Sequence, residues 1–156
     1  MITPVLARPA VDVAAYEGPL LLDTAVWLWY LSGDTTRMRD GVVPLLDRAA
    51  ATNQLLVCDI SCWEVATKVA KGKLTLTVDV GVWLQRAETV PGFRFRSLTR
   101  PVLLQSTRLP GAAHGDPADR MLVAMALIEG VPLVTSDSLI IDYAKQHPGL
   151  TVVDVR

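Results

Sequence analysis

Three leucines in a row, Leu20-Leu21-Leu22, stop on Asp23, and Thr24 follows at once. A short unbroken apolar run suits a strand covered on both faces, as in a parallel sheet. Open α/β sheets gather their ligands at the carboxyl ends of such strands. Asp23 therefore stands at a strand-to-helix switch. Thr24 is placed to cap the helix that the apolar pattern Ala25 to Leu31 predicts, and Gly33 ends it. Asp23 reads either as a metal ligand or catalytic acid, or as an ordinary turn aspartate.

The alternation continues along the chain. Gly41 to Thr52 reads as a helix with Val43, Leu45, Leu46 and Ala49 inward, and Gln54 to Ile60 as a second buried strand. Ser61 opens a helix that runs to Lys71 and stops at Gly72. Asp79 to Val90 is helical. Phe93 to Leu98 alternates with Arg94 and Arg96, as a half-exposed strand near a sheet edge does. Pro101 to Thr107 is a short helix, and Pro117 to Glu129 is the strongest helical pattern in the chain. Val131 to Thr135 and Thr151 to Val153 are strands on either side of a helix from Leu139 to Lys145. Strands alternating with helices imply right-handed crossovers and an α/β fold of three layers around a parallel sheet. Residues 1–19 carry Pro4, Pro9, Gly18 and Pro19 without a period, and read as a loose extension before a domain at 20–156.

Composition narrows the function. With 51% apolar and 20% charged residues, the 156-residue chain can build one full core. A net charge of −1 excludes a broadly basic nucleic-acid coat but leaves room for a nuclease with a local basic rim. Cys58 and Cys62 have no second Cys or His pair to complete a zinc site, so reduced thiols in a cytoplasmic protein are expected. No signal peptide is evident, and the run from Leu20 to Leu31 is too short to span a bilayer.

Three further acids occupy places like that of Asp23. Glu64 lies just past the second strand, Asp119 in the first turn of the strongest helix, and Asp137 at a strand end. Parallel strands bring those ends to one edge of the sheet. Each acid also has a purely structural reading. Ser61 and Glu64 are spaced as a capping box. Asp116 before Pro117 looks like an N-cap, and Asp137 like an Asx turn. Two carboxylates about 5 Å apart repel by about 3 kcal/mol at an effective dielectric near 20, which exceeds the roughly 1 kcal/mol of one cap. A cluster of them needs a cation or must take up protons. Oxygen ligands alone suit Mg²⁺ or Mn²⁺, and such an ion in an acidic crevice supports phosphodiester hydrolysis.

The motifs L-L-L-D-T at Leu20–Thr24, I-S-C-W-E-V-A at Ile60–Ala66, K-G-K-L at Lys71–Leu74, H-G-D-P-A-D-R-M-L-V-A at His114–Ala124 and P-L-V-T-S-D at Pro132–Asp137 occur in that order. Together they resemble the PIN-domain ribonucleases, and among them the VapC-type toxins of bacterial toxin–antitoxin pairs. The resemblance implies an acidic site of Asp23, Glu64, Asp119 and Asp137, with Asp23 and Asp119 as metal ligands. It implies a sheet ordered 3-2-1-4-5, a homodimer, an RNA substrate and a cognate VapB-type antitoxin that occludes the site. Gly115 departs from the family pattern, where a larger, often basic residue is common, and the lead-in before Pro19 is longer than usual.

On this reading Thr24 and Ser136 orient ligands or water, or simply cap and turn. Arg120, Lys68, Lys71 and Lys73 form a rim for RNA phosphates, or are solvated helix charges. His114 reads as a loop hydrogen-bonder, and Trp27, Trp29 and Trp83 divide between core and a partner surface. Two other readings stay open. A phosphohydrolase with Asp23 as nucleophile expects a second Asp two residues on, where Ala25 stands. A binding module would use its acids only as caps and turns.

Overall fold

The structure, a computed structural model, describes residues 9–111 and 115–156. Five strands form one parallel sheet: β1 (Leu20–Leu22), β2 (Leu55–Cys58), β3 (Phe93–Arg96), β4 (Leu133–Thr135) and β5 (Val152–Asp154). Their spatial order is 3-2-1-4-5, as the resemblance implied. Leu20 pairs with Leu55 and Leu22 with Val57 on one side, while Leu22 pairs with Val134 on the other. Every residue of β1, β2 and β4 is buried. The unbroken apolar runs follow from that, since both faces are covered.

Successive residues feed two separate cores. Leu21, Leu56, Cys58 and Leu133 point into a layer with Leu122, Met125, Ile140 and Tyr143. Leu20, Leu22, Leu55, Val57 and Val134 point into the opposite layer with Val26, Trp27, Leu45 and Leu46. The helices α1 (Thr24–Ser32), α2 (Val42–Ala51) and α4 (Val80–Thr89) build the second layer. The helices α5 (Arg100–Ser106), α6 (Pro117–Glu129) and α7 (Ser138–Gln146) build the first. Between them α3 (Asp59–Ala70) contributes Ile60 to one core and Val65 to the other. The edge strand β3 alternates as its sequence does, with Phe93 and Phe95 half-buried and Arg94 and Arg96 exposed.

Several local expectations are corrected. The cap of α1 is Asp23, not Thr24: the Asp23 side chain accepts the Val26 N–H at 2.8 Å, and Thr24 is the first helical residue. The third helix starts at Asp59, two residues before Ser61, because Cys58 already has cap geometry. Ser61 is therefore inside the helix, and no capping box forms with Glu64. On α2 the inward residue is Val42, and Val43 is only half-buried. The loop after Gly33 contains a 3-10 turn at Thr35–Arg37, held by Asp34 bonds to Thr36 and Arg37. Gly33 ends α1 at φ +74°, as glycine at that position permits.

From residue 9 onward the lead-in lies against the domain. Val11, Val13 and Tyr16 pack on the core beside α2, and Arg48 donates to the Val13 carbonyl at 2.6 Å. No helix among the described residues is long and apolar enough to cross a membrane.

Candidate active site

The four acids come from four different elements and line one hollow of about 430 Å³ at the carboxyl edge of the sheet. Topology accounts for this. Asp23 follows β1 directly, and Asp137 follows β4 after one residue, Ser136. Glu64 sits in the second turn of α3, which leaves β2. Asp119 is at the third position of α6, whose first turn lies at the same edge because the helix runs back toward the start of β4. Thr24, Ser136 and Lys68 line the same hollow. Among the described residues, four carboxylates and one ammonium group line it.

Asp23 is the most enclosed of these acids, at 6% exposure. Its Oδ1 caps α1, and its Oδ2 receives the hydroxyl proton of Thr135. The Thr135 oxygen in turn accepts the Asp137 N–H at 3.0 Å, so one buried hydroxyl joins two of the acids. Burial pushes the Asp23 carboxyl above its ordinary range. Hydrogen bonds from Thr135 and from the Val26 and Ser136 N–H groups oppose that push, and the charge on Glu64 adds to it. The protein alone does not fully compensate a negative charge here.

Glu64 is oriented from across the interface between α1 and α3. Its Oε1 lies 2.6 Å from the Thr24 hydroxyl, which also lies 2.8 Å from the Ser61 hydroxyl. A threonine has one proton to give. It goes to the carboxylate, and Ser61 donates to Thr24. Asp137 caps α7 by accepting the Ile140 N–H at 2.9 Å, and Asp116 caps α6 by accepting the Ala118 N–H at 2.8 Å. The structural readings of these acids hold together with the convergence: a cap bond engages one carboxylate oxygen and leaves the side chain at the hollow's edge.

The remaining expected residues divide. Asp116 lines an adjoining hollow rather than the acidic one, together with Lys68, Lys71 and Lys73. Arg120 turns toward α5, where its Nε donates to the Ser106 carbonyl at 2.8 Å. His114 lies outside the described residues. Trp27 is wholly buried, whereas Trp29 and Trp83 are half-buried beside an apolar hollow of about 550 Å³. Thr135 carries no signal as a site residue in the sequence, and Ser61 acts through Thr24 rather than as the cap its spacing with Glu64 suggests. The usable signal was burial itself: a hydroxyl closing a fully buried strand, or inside a covered helix face, must find a partner.

All the side-chain donors around the acidic hollow, save the Lys68 amine, are carboxylate or hydroxyl oxygens, which is the set that hard divalent cations take. Among the described residues, no three acidic, His or Cys side chains are already drawn together as a finished ion cage.

Comparison with known proteins bears on the family. A model of the PIN domain matches residues 20–146. Ribonuclease VapC22 of Mycobacterium tuberculosis is 32% identical over 130 residues, which is 83% of this chain and 95% of that protein. Among solved structures, VapBC2 from Rickettsia felis bound to a DNA fragment from their promoter matches with a TM-score of 0.63. Its identity is 16%, over 88% of this chain and 98% of that one. VapBC-5 from Mycobacterium tuberculosis matches at 0.58 and 16% identity, over 89% and 100% of the two chains. At such identities the solved structures speak for the fold alone. The match over residues 20–146 and the 32% identity to VapC22 together make this chain a member of the PIN-domain family, of the VapC type.

Proposed function

We propose that this chain is a divalent-metal-dependent endoribonuclease, the toxin of a toxin–antitoxin pair. The observation that carries the reading is the convergence of Asp23, Glu64, Asp119 and Asp137 on one hollow with a single lysine. Such a grouping is tolerable when a cation shares it. Asp23 and Asp119 would hold the ion, Mg²⁺ with Mn²⁺ as its substitute. Bound there, it supplies Lewis-acid polarisation of a phosphoryl oxygen and acidifies water.

The protein's own groups do the rest. Thr135 and the N–H of Val26 fix the Asp23 carboxylate, so it needs no reorganisation when charge arrives. Glu64, aimed by Thr24, is placed to take a proton from the attacking water. Asp137 is held at the rim of the hollow by its cap bond. Lys68 faces the developing phosphate charge.

The toxin role rests on membership of the VapC type and on the likeness to VapC22, named a ribonuclease. A VapB-type antitoxin is the partner this reading requires, and the apolar hollow beside Trp29 and Trp83 is the surface it has to offer. A homodimer and a cytoplasmic location belong to the same reading.

The test is cleavage of a mixed RNA pool by the purified chain. Cleavage should require Mg²⁺ or Mn²⁺, cease with chelator, and be lost in Asp23→Asn and Asp119→Asn that still fold. Cutting at the wild-type rate by either variant would refute the site. Absence of any cleavage, with no effect of metal on stability, would favour a binding module.

A further inference from the structure

Trp63 has no role in the reaction outlined above, yet it is the most exposed large apolar side chain described, at 60%. Leaving an indole in water forfeits burial that aromatic side chains usually gain. Among the described residues no ring or cation stacks on it. Its place on α3 is informative. Trp63, Thr67 and Lys71 follow at intervals of four and form one file along the helix, and Glu64 and Lys68 form the next. The first file borders a hollow of about 250 Å³, closed on the far side by the first turn of α6. Lys73 lines it too, beyond the end of the helix. Glu64 and Lys68 line both this hollow and the acidic one. The two adjoin, with those side chains as their shared wall.

Charge changes sign along that path. The acidic hollow has four carboxylates to one lysine, whereas its neighbour has Lys68, Lys71 and Lys73 against Glu64 and Asp116. None of the three lysines makes an ion pair among the described residues. A flat aromatic face next to unengaged ammonium groups is the arrangement that binds single-stranded nucleic acid. Bases stack on the ring and phosphates meet the cations. A duplex keeps its bases stacked on one another and has none to offer.

We infer that Trp63 with Lys68, Lys71 and Lys73 forms a subsite for one unpaired ribonucleotide next to the bond that is cut. The base stacks on the indole, and the flanking phosphates lie on the lysines. The inference rests on the nuclease reading, because the adjoining acidic hollow is where the phosphodiester reacts. Stacking is tolerant of base identity, so this subsite selects unpaired structure rather than a particular base.

The experiment is a fluorescence anisotropy titration of a labelled single-stranded oligoribonucleotide, in the full chain carrying Asp119→Asn so that the RNA stays intact. Trp63→Ala should weaken binding about tenfold. Trp63→Phe should stay within about threefold of the parent, since a ring remains for stacking. An abasic nucleotide at the stacked position should abolish the difference, as should annealing the RNA into a duplex. Lys71→Ala and Lys73→Ala should each lower the slope of log K against log salt by about 0.7. Equal binding by Trp63→Ala and parent, with the wild type still cutting RNA, would overturn the subsite and leave the nuclease intact. No cutting and no RNA binding by any form would overturn both. A polyglutamate peptide that binds through Trp63 where RNA does not would reassign the surface to an acidic protein segment and overturn the inference.

Discussion

Thr24 and Glu64, 40 residues apart in the chain, share a hydrogen bond of 2.6 Å. It ties the first turn of α1 to the second turn of α3 and sets the direction of one acid in the hollow. Thr24→Val removes the donor and leaves the wholly buried Ser61 hydroxyl without its acceptor. The expected cost is about 2 kcal/mol, a fall of several degrees in Tm, with RNA cleavage reduced beyond what unfolding explains. Thr24→Ser should keep most of both. Unchanged melting and cleavage in Thr24→Val would mean that Glu64 is not positioned this way.

Asp23 predicts a trade of stability for function. Its carboxyl is pushed up by burial, so above the ordinary value of 3.8 the folded protein keeps a proton that the unfolded chain has lost. Stability therefore falls as pH rises from 3.8 to the folded value, and the loss persists above it. Asp23→Asn removes the ionisation while keeping an acceptor for the Val26 N–H. In chelator at neutral pH it should melt at or above the wild-type temperature. Added Mg²⁺ at a hundred times its dissociation constant should stabilise the wild type by about 2.7 kcal/mol and leave the variant unmoved. A variant that melts well below the wild type in chelator would contradict the burial argument.

Cys58 and Cys62 are both free, and burial pushes their thiols up to about 12 and about 11. The thiolate is the reactive form. At pH 8 both should react with a thiol reagent roughly a hundredfold or more slowly than an unfolded cysteine, and at the normal rate in denaturant. The sign for stability follows. Unfolded thiols lose protons first, so stability should decline as pH rises from 9.0 towards 11. Tyr30, raised by burial and by its bond to Asp47, adds to the same decline. Rapid labelling of either cysteine in the native state would refute the packing described.

Gly92 immediately precedes β3 at φ +102°, and a Cβ there would meet the Ala50 Cβ at 2.9 Å and its backbone at 3.1 Å. Its carbonyl accepts the Leu55 N–H, so the position aligns β3 with β2. Gly92→Ala should cost more than about 1 kcal/mol, visible as a Tm lowered by several degrees. A melt indistinguishable from wild type would show that this turn relaxes freely.

Much of the fold was legible because its signals are local. The apolar runs at Leu20–Leu22 and Leu55–Cys58 and the glycine stop at Gly33 follow from backbone rules applied a few residues at a time. The cap of α1 is ambiguous in sequence because Asp23 and Thr24 are both good caps, and only φ and ψ decide between neighbours. Thr135 carries no signal in sequence because a β-branched residue at a strand end needs no further explanation in one dimension. Its bond to Asp23 spans 112 positions. The acids could be grouped from sequence only through the parallel topology, and Trp63 became notable only once its exposure was known.

The central claim is that a divalent cation belongs among Asp23, Glu64, Asp119 and Asp137. Crystals of the wild-type protein grown with Mn²⁺ test it directly, through anomalous difference density at the manganese absorption edge. The account predicts one or more peaks inside the acidic hollow, within ligand distance of Asp23 and Asp119, and none there in Asp23→Asn. A map without a peak in that hollow at saturating Mn²⁺, or with the ion bound elsewhere, would contradict it.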